Sequence, residues 1–149
     1  MEGIIFIGIQ ATGKSSFYKQ LFFNTHMRIN LDMLKTRNRE KILVDACIRA
    51  KQPLVIDNTN PTVTDREKYI SKLKEEKFKV IGYYFKSNLN DAIMRNELRN
   101  GKEKIPRMGI LSTYNKLELP SYKEGFDKLY YVSLNNNKYI VEEWNDEIQ

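Results

Sequence analysis

The apolar positions fall into short runs separated by longer amphipathic stretches. Ile4-Ile5-Phe6-Ile7 is continuous and ends at Gly8, the pattern of a strand buried on both faces. Leu54-Val55-Ile56, ending at Asp57, repeats it, and Lys79–Phe85 and Leu129–Leu134 read as two more strands. Met27-Arg28-Ile29-Asn30 fits a fifth, short one. Between these runs the spacing turns helical. A helix is expected from Lys14 to Phe23. Asp32 can cap another, which Ile42, Leu43, Ala46, Cys47 and Ala50 carry on to Lys51 before Pro53 stops it. Thr64 as N-cap with Glu67 three residues on predicts a capping box and a helix over 64–76. Asn90–Arg99 reads as a helix ended by Gly101, Met108–Leu117 as the next, and Lys138–Asp146 as the last. Asn135-Asn136-Asn137 reads as a turn. There is no internal repeat and no Pro/Gly/Ser-rich linker. Strands alternating with helices predict a single α/β domain over 1–149, built in three layers around a mainly parallel sheet of about five strands. Sheets of this kind bind ligands at the carboxyl ends of their strands. Gly8, Asn30 and Asp57 each stand at such an end.

The first of these ends carries the strongest chemical signal. Gly8-Ile9-Gln10-Ala11-Thr12-Gly13-Lys14-Ser15 matches the phosphate-loop pattern GxxxxGK[ST] in full, between a buried strand and a helix. Glycines let the chain curl until consecutive N–H groups face one anion, and the following helix aims its N-terminus at the same point. Gly8, Gln10, Ala11, Thr12, Gly13, Lys14, Ser15 and Ser16 are therefore the expected nucleotide-binding set. Lys14 would meet the β- and γ-phosphates, and the Ser15 hydroxyl would ligate Mg²⁺. Asp57, behind its apolar run, is the second expected metal residue. ATP and Mg²⁺ are the implied substrate and ion.

Composition narrows the class. A hydrophobic content of 41% in 149 residues, with nine Tyr and seven Phe, marks a folding globular chain rather than a disordered one. The aromatic residues could also offer stacking to single-stranded bases. Cys47 is the only cysteine and His26 the only histidine. That excludes an intrachain disulfide and a cysteine or multi-histidine metal cage, and points to a reducing, cytoplasmic setting. Cys47 fits a small core residue and His26 a loop residue. No apolar run approaches the roughly 20 residues of a membrane span, and Met-Glu-Gly has no basic leader, so neither membrane partner nor signal peptide is expected. The net charge of +6 is uneven. Residues 135–149 hold Lys138 against Glu142, Glu143, Asp146 and Glu147, so the remainder is more basic than the total suggests. The basic excess gathers in 28–51 and 95–116, as an anionic partner would require.

Binding nucleotide is only part of phosphoryl transfer, which also needs a base near the acceptor and cations around the moving group. Asp32, just past the strand that ends at Asn30, is the candidate base. The plain alternative is a helix cap. Arg95 and Arg99 share a helix face and lead into Asn100-Gly101-Lys102-Glu103-Lys104, a stretch with the character of a lid over about 99–107. The alternative is a basic helix end suited to the dipole.

At this point the residues resemble a known family, the 5′-hydroxyl polynucleotide kinases of phages and animal DNA repair. Four stretches carry the likeness in order: the loop at 8–15, Asn30-Leu31-Asp32, Ile56-Asp57-Asn58-Thr59-Asn60-Pro61, and Arg95 through Tyr114-Asn115-Lys116 and Leu119-Pro120 to Glu124-Gly125-Phe126. The resemblance implies a P-loop kinase fold with a basic lid. It makes Asp32 the base that activates an acceptor 5′-hydroxyl, and Arg99 and Arg95 the lid arginines. Thr59, with its neighbours Asn58 and Asn60, would line the acceptor side, and Lys35 would contact the acceptor phosphate. Two departures touch that side. Leu31 stands where the family usually has Arg. Lys35 stands for another Arg, giving a point charge without a bidentate fork. Family members often carry a phosphatase domain, for which 149 residues leave no room, so a kinase domain alone is expected. The leading reading is γ-phosphoryl transfer from ATP to a 5′-hydroxyl of RNA or DNA. The alternatives are a kinase of a small alcohol such as a nucleoside, sugar or antibiotic, and a nucleotide-binding ATPase module without transfer. The turn at 135–137 is a candidate adenine contact.

Overall fold

A computed structural model describes residues 1–146; Glu147, the last acid of the C-terminal stretch, lies outside the described residues. The elements in order are β1 (Glu2–Ile7), α1 (Lys14–Leu21), β2 (Met27–Ile29), α2 (Leu31–Leu34), α3 (Arg37–Ala50), β3 (Leu54–Ile56), α4 (Val63–Glu75), β4 (Lys79–Phe85), α5 (Leu89–Glu97), α6 (Arg107–Lys116), β5 (Lys128–Asn135) and β6 (Lys138–Glu143). Short 3₁₀ turns at Gly101–Glu103 and Tyr122–Glu124 complete it. One sheet runs β2-β3-β1-β4-β5-β6. The first five strands are parallel, with Ile4 beside Val55 on one flank and Ile81 on the other.

The continuous apolar runs are explained by burial on both faces. Ile5 and Ile7 join Ile29, Ile56, Val44, Ile48, Tyr69 and Leu73 in a core under α3 and α4. Ile4 and Phe6 point the other way, into Phe17, Tyr18, Phe22 and Phe85 beneath α1. A third, smaller cluster of Ile9, Ala11, Ala92 and Ile110 seats α5 and α6 against the loop after β1. This is the expected three-layer α/β arrangement around a mainly parallel sheet. Cys47 lies in the first core, and burial pushes its thiol up. His26 sits in the turn before β2, its Nε2 2.9 Å from Glu2 Oε1 and its ring 5.0 Å from Phe22. No described helix is long and apolar enough to cross a membrane.

Four local expectations are corrected. Residues 138–143 form a sixth strand, antiparallel to β5, instead of a helix. Asn136 and Asn137 both take positive φ, 51° and 62°, which suits a two-residue hairpin turn. The Tyr139-Ile140-Val141 run that follows is rich in strand formers. The helix drawn from Asp32 to Lys51 is two helices. Lys35 turns left-handed at φ 75°, and Thr36 caps afresh by accepting Arg39 N–H. Asp32 is not the cap before it; Asn30 is, accepting Met33 N–H. The capping box of α4 is built by Thr62 and Asp65, two residues ahead of Thr64 and Glu67. Finally, α5 starts earlier, capped by Asn88, and ends at Glu97, so Gly101 opens a 3₁₀ turn and does not close the helix.

Candidate active site

The loop between β1 and α1 is held from several sides. Gly8, Ala11 and Gly13 take φ of 155°, 62° and 93°. At Gly13 a left-handed backbone and a close neighbour both demand glycine, because an added Cβ would lie 2.9 Å from Tyr139 Oη. Thr12 donates to Ile9 O at 2.9 Å, and Ser87 Oγ accepts Ile9 N–H at 3.1 Å. Gln10 donates to Thr113 Oγ1 on α6 at 3.0 Å. Tyr139 reaches across from β6 and donates to Gly13 O at 2.7 Å.

Lys14 is buried, and its ammonium donates to Gly8 O at 2.9 Å and Ile9 O at 2.6 Å. Loss of water lowers its pKa from 10.5 to about 8. Nearby charges act on it as well. Asp57 and Asp32 favour its charged form, and Arg99 opposes it. Lys14 is thus within electrostatic reach of both carboxylates and of the Arg99 guanidinium from beyond α5.

At the end of β3, Asp57 is 2% exposed. Its Oδ2 accepts Ser15 Oγ–H at 3.2 Å and Arg28 Nε–H at 2.8 Å, while Arg28 Nη2 also donates to Ser15 Oγ at 2.9 Å. A hydroxyl and a carboxylate side by side are the hard oxygen donors that Mg²⁺ takes, so Ser15 and Asp57 fit that ion. Arg28 is the residue the sequence reading missed. Its only signal was a cation in an otherwise apolar strand.

The loop 57–60 closes on both neighbouring strands. Asn60, left-handed at φ 45° and buried, donates to Phe6 O at 2.8 Å, and Thr59 O accepts Gly8 N–H at 3.0 Å. Asn58 Oδ1 accepts Leu31 N–H at 2.8 Å, and Asn30 Nδ2 donates to Asp57 O. These bonds set the start of α2 beside the loop, with Asp32 exposed in its first turn and Lys35 exposed at its end. The amides of Asn58 and Asn60 bond within the protein, whereas Asp32 and Lys35 are exposed and Thr59 is half-buried.

Of the arginines past α1, Arg95 donates to Ala11 O at 3.3 Å, which brings α5 onto the phosphate loop. Arg99 donates to Glu103 O at 3.3 Å. Asn96 organises the stretch between them and α6, its amide bonding both the N–H and the C=O of Ile105. Ser16 is exposed at the start of α1, close to Tyr139.

No protein-family profile matches the chain. Among curated proteins, the bifunctional polynucleotide phosphatase/kinase of Schizosaccharomyces pombe is 26% identical over 149 residues, covering 97% of this chain and 36% of that protein. A protein of Acanthamoeba polyphaga mimivirus, provisionally given the same description, is 28% identical, over 95% of this chain and 35% of its own length. The chain thus spans about a third of the curated relatives it matches. Among solved structures, Chaetomium thermophilum Kti12 in complex with ADP-AlF3 superposes with a TM-score of 0.71 at 15% identity, covering 88% of each chain. A gluconokinase of Sinorhizobium meliloti gives 0.63 at 15% identity, over 89% of this chain and 82% of that one. The chain resembles the polynucleotide kinases along nearly its whole length, and its fold is that of the P-loop kinases.

Proposed function

We propose that the chain is an ATP-dependent kinase that moves the γ-phosphoryl group to a 5′-hydroxyl of RNA or DNA. One observation supports the reading: the segment that begins with Asp57, which accepts Ser15 Oγ–H at 3.2 Å, also holds Leu31 N–H on Asn58 Oδ1 at 2.8 Å, so the phosphate loop and the helix that bears Asp32 are joined through it. In this reading the N–H groups of residues 8–16 cradle the phosphates and Lys14 turns from the loop carbonyls to meet them. Gln10 and Thr12 brace that loop. Ser15 and Asp57 hold Mg²⁺, which when bound neutralises charge on the phosphate oxygens. Asp32 accepts the proton of the acceptor hydroxyl as its oxygen bonds to the γ-phosphorus. The bond to the β–γ bridging oxygen breaks, and ADP leaves. Arg99, on a lid over about 99–107, and Arg95, on α5 ahead of it, stabilise the charge that develops. Lys35 and Thr59 face the acceptor, on a loop shaped by Asn58 and Asn60.

A small alcohol is the second reading, and one observation favours it. The arginines flanking Asp32 are already engaged, Arg28 by Asp57, Arg37 by Glu40 and Arg39 by Leu34 O. That leaves Lys35 as the ready cation for an acceptor phosphate. The two separate in one assay with labelled ATP and Mg²⁺, offering 5′-hydroxyl oligonucleotides and, apart, a panel of small alcohols. Label at oligonucleotide 5′ ends is expected. Label on a small alcohol alone, or release of phosphate alone, sinks the polynucleotide reading. Asp32→Asn is expected to lose about 10²- to 10⁴-fold in transfer while keeping ATP affinity. Normal transfer by that variant removes Asp32 as base.

A further inference from the structure

Glu40, on α3, is 3% exposed. A carboxylate so far from water needs donors, and it has three residues' worth. Tyr69 Oη donates to Oε1 at 2.6 Å, and Arg37 Nη1 reaches both oxygens at 3.1 and 3.3 Å. The third donor is Asn58 Nδ2, 2.9 Å from Oε2. A carboxylate can only accept, so it decides which end of the Asn58 amide faces it. The NH₂ must turn to Glu40, and the carbonyl Oδ1 is then presented on the far side, where it accepts Leu31 N–H at 2.8 Å. A flipped Asn58 would set donor against donor at Leu31.

Leu31 is the residue before Asp32 and the first of α2. A helix of four residues does not hold itself in place. It is pinned to the loop after β3 by the Leu31–Asn58 bond and by Asn30 Nδ2 on Asp57 O. One of these two pins exists in its observed sense only because Glu40 is an acceptor.

We propose that Glu40 is a positioning residue for phosphoryl transfer: through the Asn58 amide it fixes the Leu31 backbone and hence the place of the Asp32 carboxylate. The inference rests on Asp32 acting as base in the kinase reaction proposed above.

The test exchanges the acid between the two positions. Glu40→Gln keeps an acceptor for Tyr69 and Arg37 but turns an NH₂ toward Asn58, which can then satisfy Gln or Leu31 but not both. Asn58→Asp sets two carboxylates face to face. Combined, the NH₂ of Gln at 40 donates to one oxygen of Asp at 58, and the other oxygen accepts Leu31 N–H. Each single variant is expected to lose about 10- to 100-fold in kcat with KM for ATP unchanged, and the pair to recover most of it. Asn58→Ala, which removes the amide without repulsion, should match the single variants. A pair no better than the worse single, or singles with full kcat, overturns the proposal. Hydrogen exchange at the Leu31 amide is read in parallel, without substrates. It should quicken in each single variant and slow again in the pair; no change there also overturns it. Wild type that labels no hydroxyl refutes the kinase reading and the catalytic role of Glu40 with it, while the exchange data still decide whether Glu40 governs Leu31.

Discussion

Arg28 and Ser15 converge on a single oxygen, Oδ2 of Asp57, at 2.8 and 3.2 Å. The guanidinium therefore lies on the pair of oxygens that fits Mg²⁺. Two cations in one place repel, so Arg28 and the ion should compete. Arg28→Leu leaves Asp57 buried without its partner and is expected to cost up to about 3 kcal/mol in the presence of chelator. Added Mg²⁺ should stabilise this variant more than wild type. Thermal unfolding with chelator and with millimolar Mg²⁺ measures both effects. Equal Mg²⁺ shifts in the two proteins would show that the sites are separate.

Lys14 makes stability depend on pH in a definite sense. Burial holds its folded pKa at about 8, against 10.5 as the ordinary value. Between those limits the unfolded chain binds more protons, so this residue's contribution rises with pH. Below pH 8 both states are protonated and the buried charge costs about 3 kcal/mol. Lys14→Met should therefore be more stable than wild type at pH 7, with the gap closing by pH 10.5. Urea unfolding at the two pH values tests it, and a gap that widens with pH would refute it.

Arg66 is fully buried and pairs with Glu124 at 2.7 and 3.1 Å while donating to Asn60 O at 2.9 Å. It ties α4 to both the 57–60 loop and the turn before β5. Arg66→Met strands a buried carboxylate and should lower stability by roughly 3–5 kcal/mol. Adding Glu124→Gln should return a substantial part. Denaturant midpoints of the two variants decide it, and a double variant as weak as the single would assign the loss to packing instead.

Tyr139 offers a contrast within one contact. Tyr139→Phe removes the bond to Gly13 O and should cost about 1 kcal/mol, leaving the loop's shape intact. Gly13→Ala forces a side chain into φ 93° and against Tyr139 Oη, so nucleotide affinity should collapse. Titration with a fluorescent ATP analogue ranks them, and Phe at 139 should not rescue Ala at 13, because the backbone strain persists.

The parallel strands were legible because burial on both faces writes an unbroken apolar run, and the phosphate loop because its glycines and Lys14 have fixed spacing. The hairpin was not, since Tyr139-Ile140-Val141 with four nearby acids suits a helix face as well as an edge strand. Only the paired left-handed Asn136 and Asn137 decide it. The break at Lys35 was hidden because a lysine gives no signal of positive φ, and Thr36 caps the next helix one residue later. Arg28, Glu40 and Arg66 were unreadable for a different reason. Each gains its meaning from a partner distant in sequence, Asp57, Asn58 and Glu124, and no local pattern announces a contact made across the fold.

The sheet order also governs assembly. β1 precedes its two neighbours in the chain, yet it lies between β3 and β4. During synthesis Ile4–Ile7 must therefore wait, uncovered, until Phe85 has emerged before both flanks can pair. Parallel pairings of this kind close large loops and form slowly. The phosphate loop, hung from the end of β1 and bonded to Thr59, Ser87, Thr113 and Tyr139, is consequently among the last parts of the molecule to take shape. A newly made chain would gain its nucleotide site only when most of the domain is already off the ribosome.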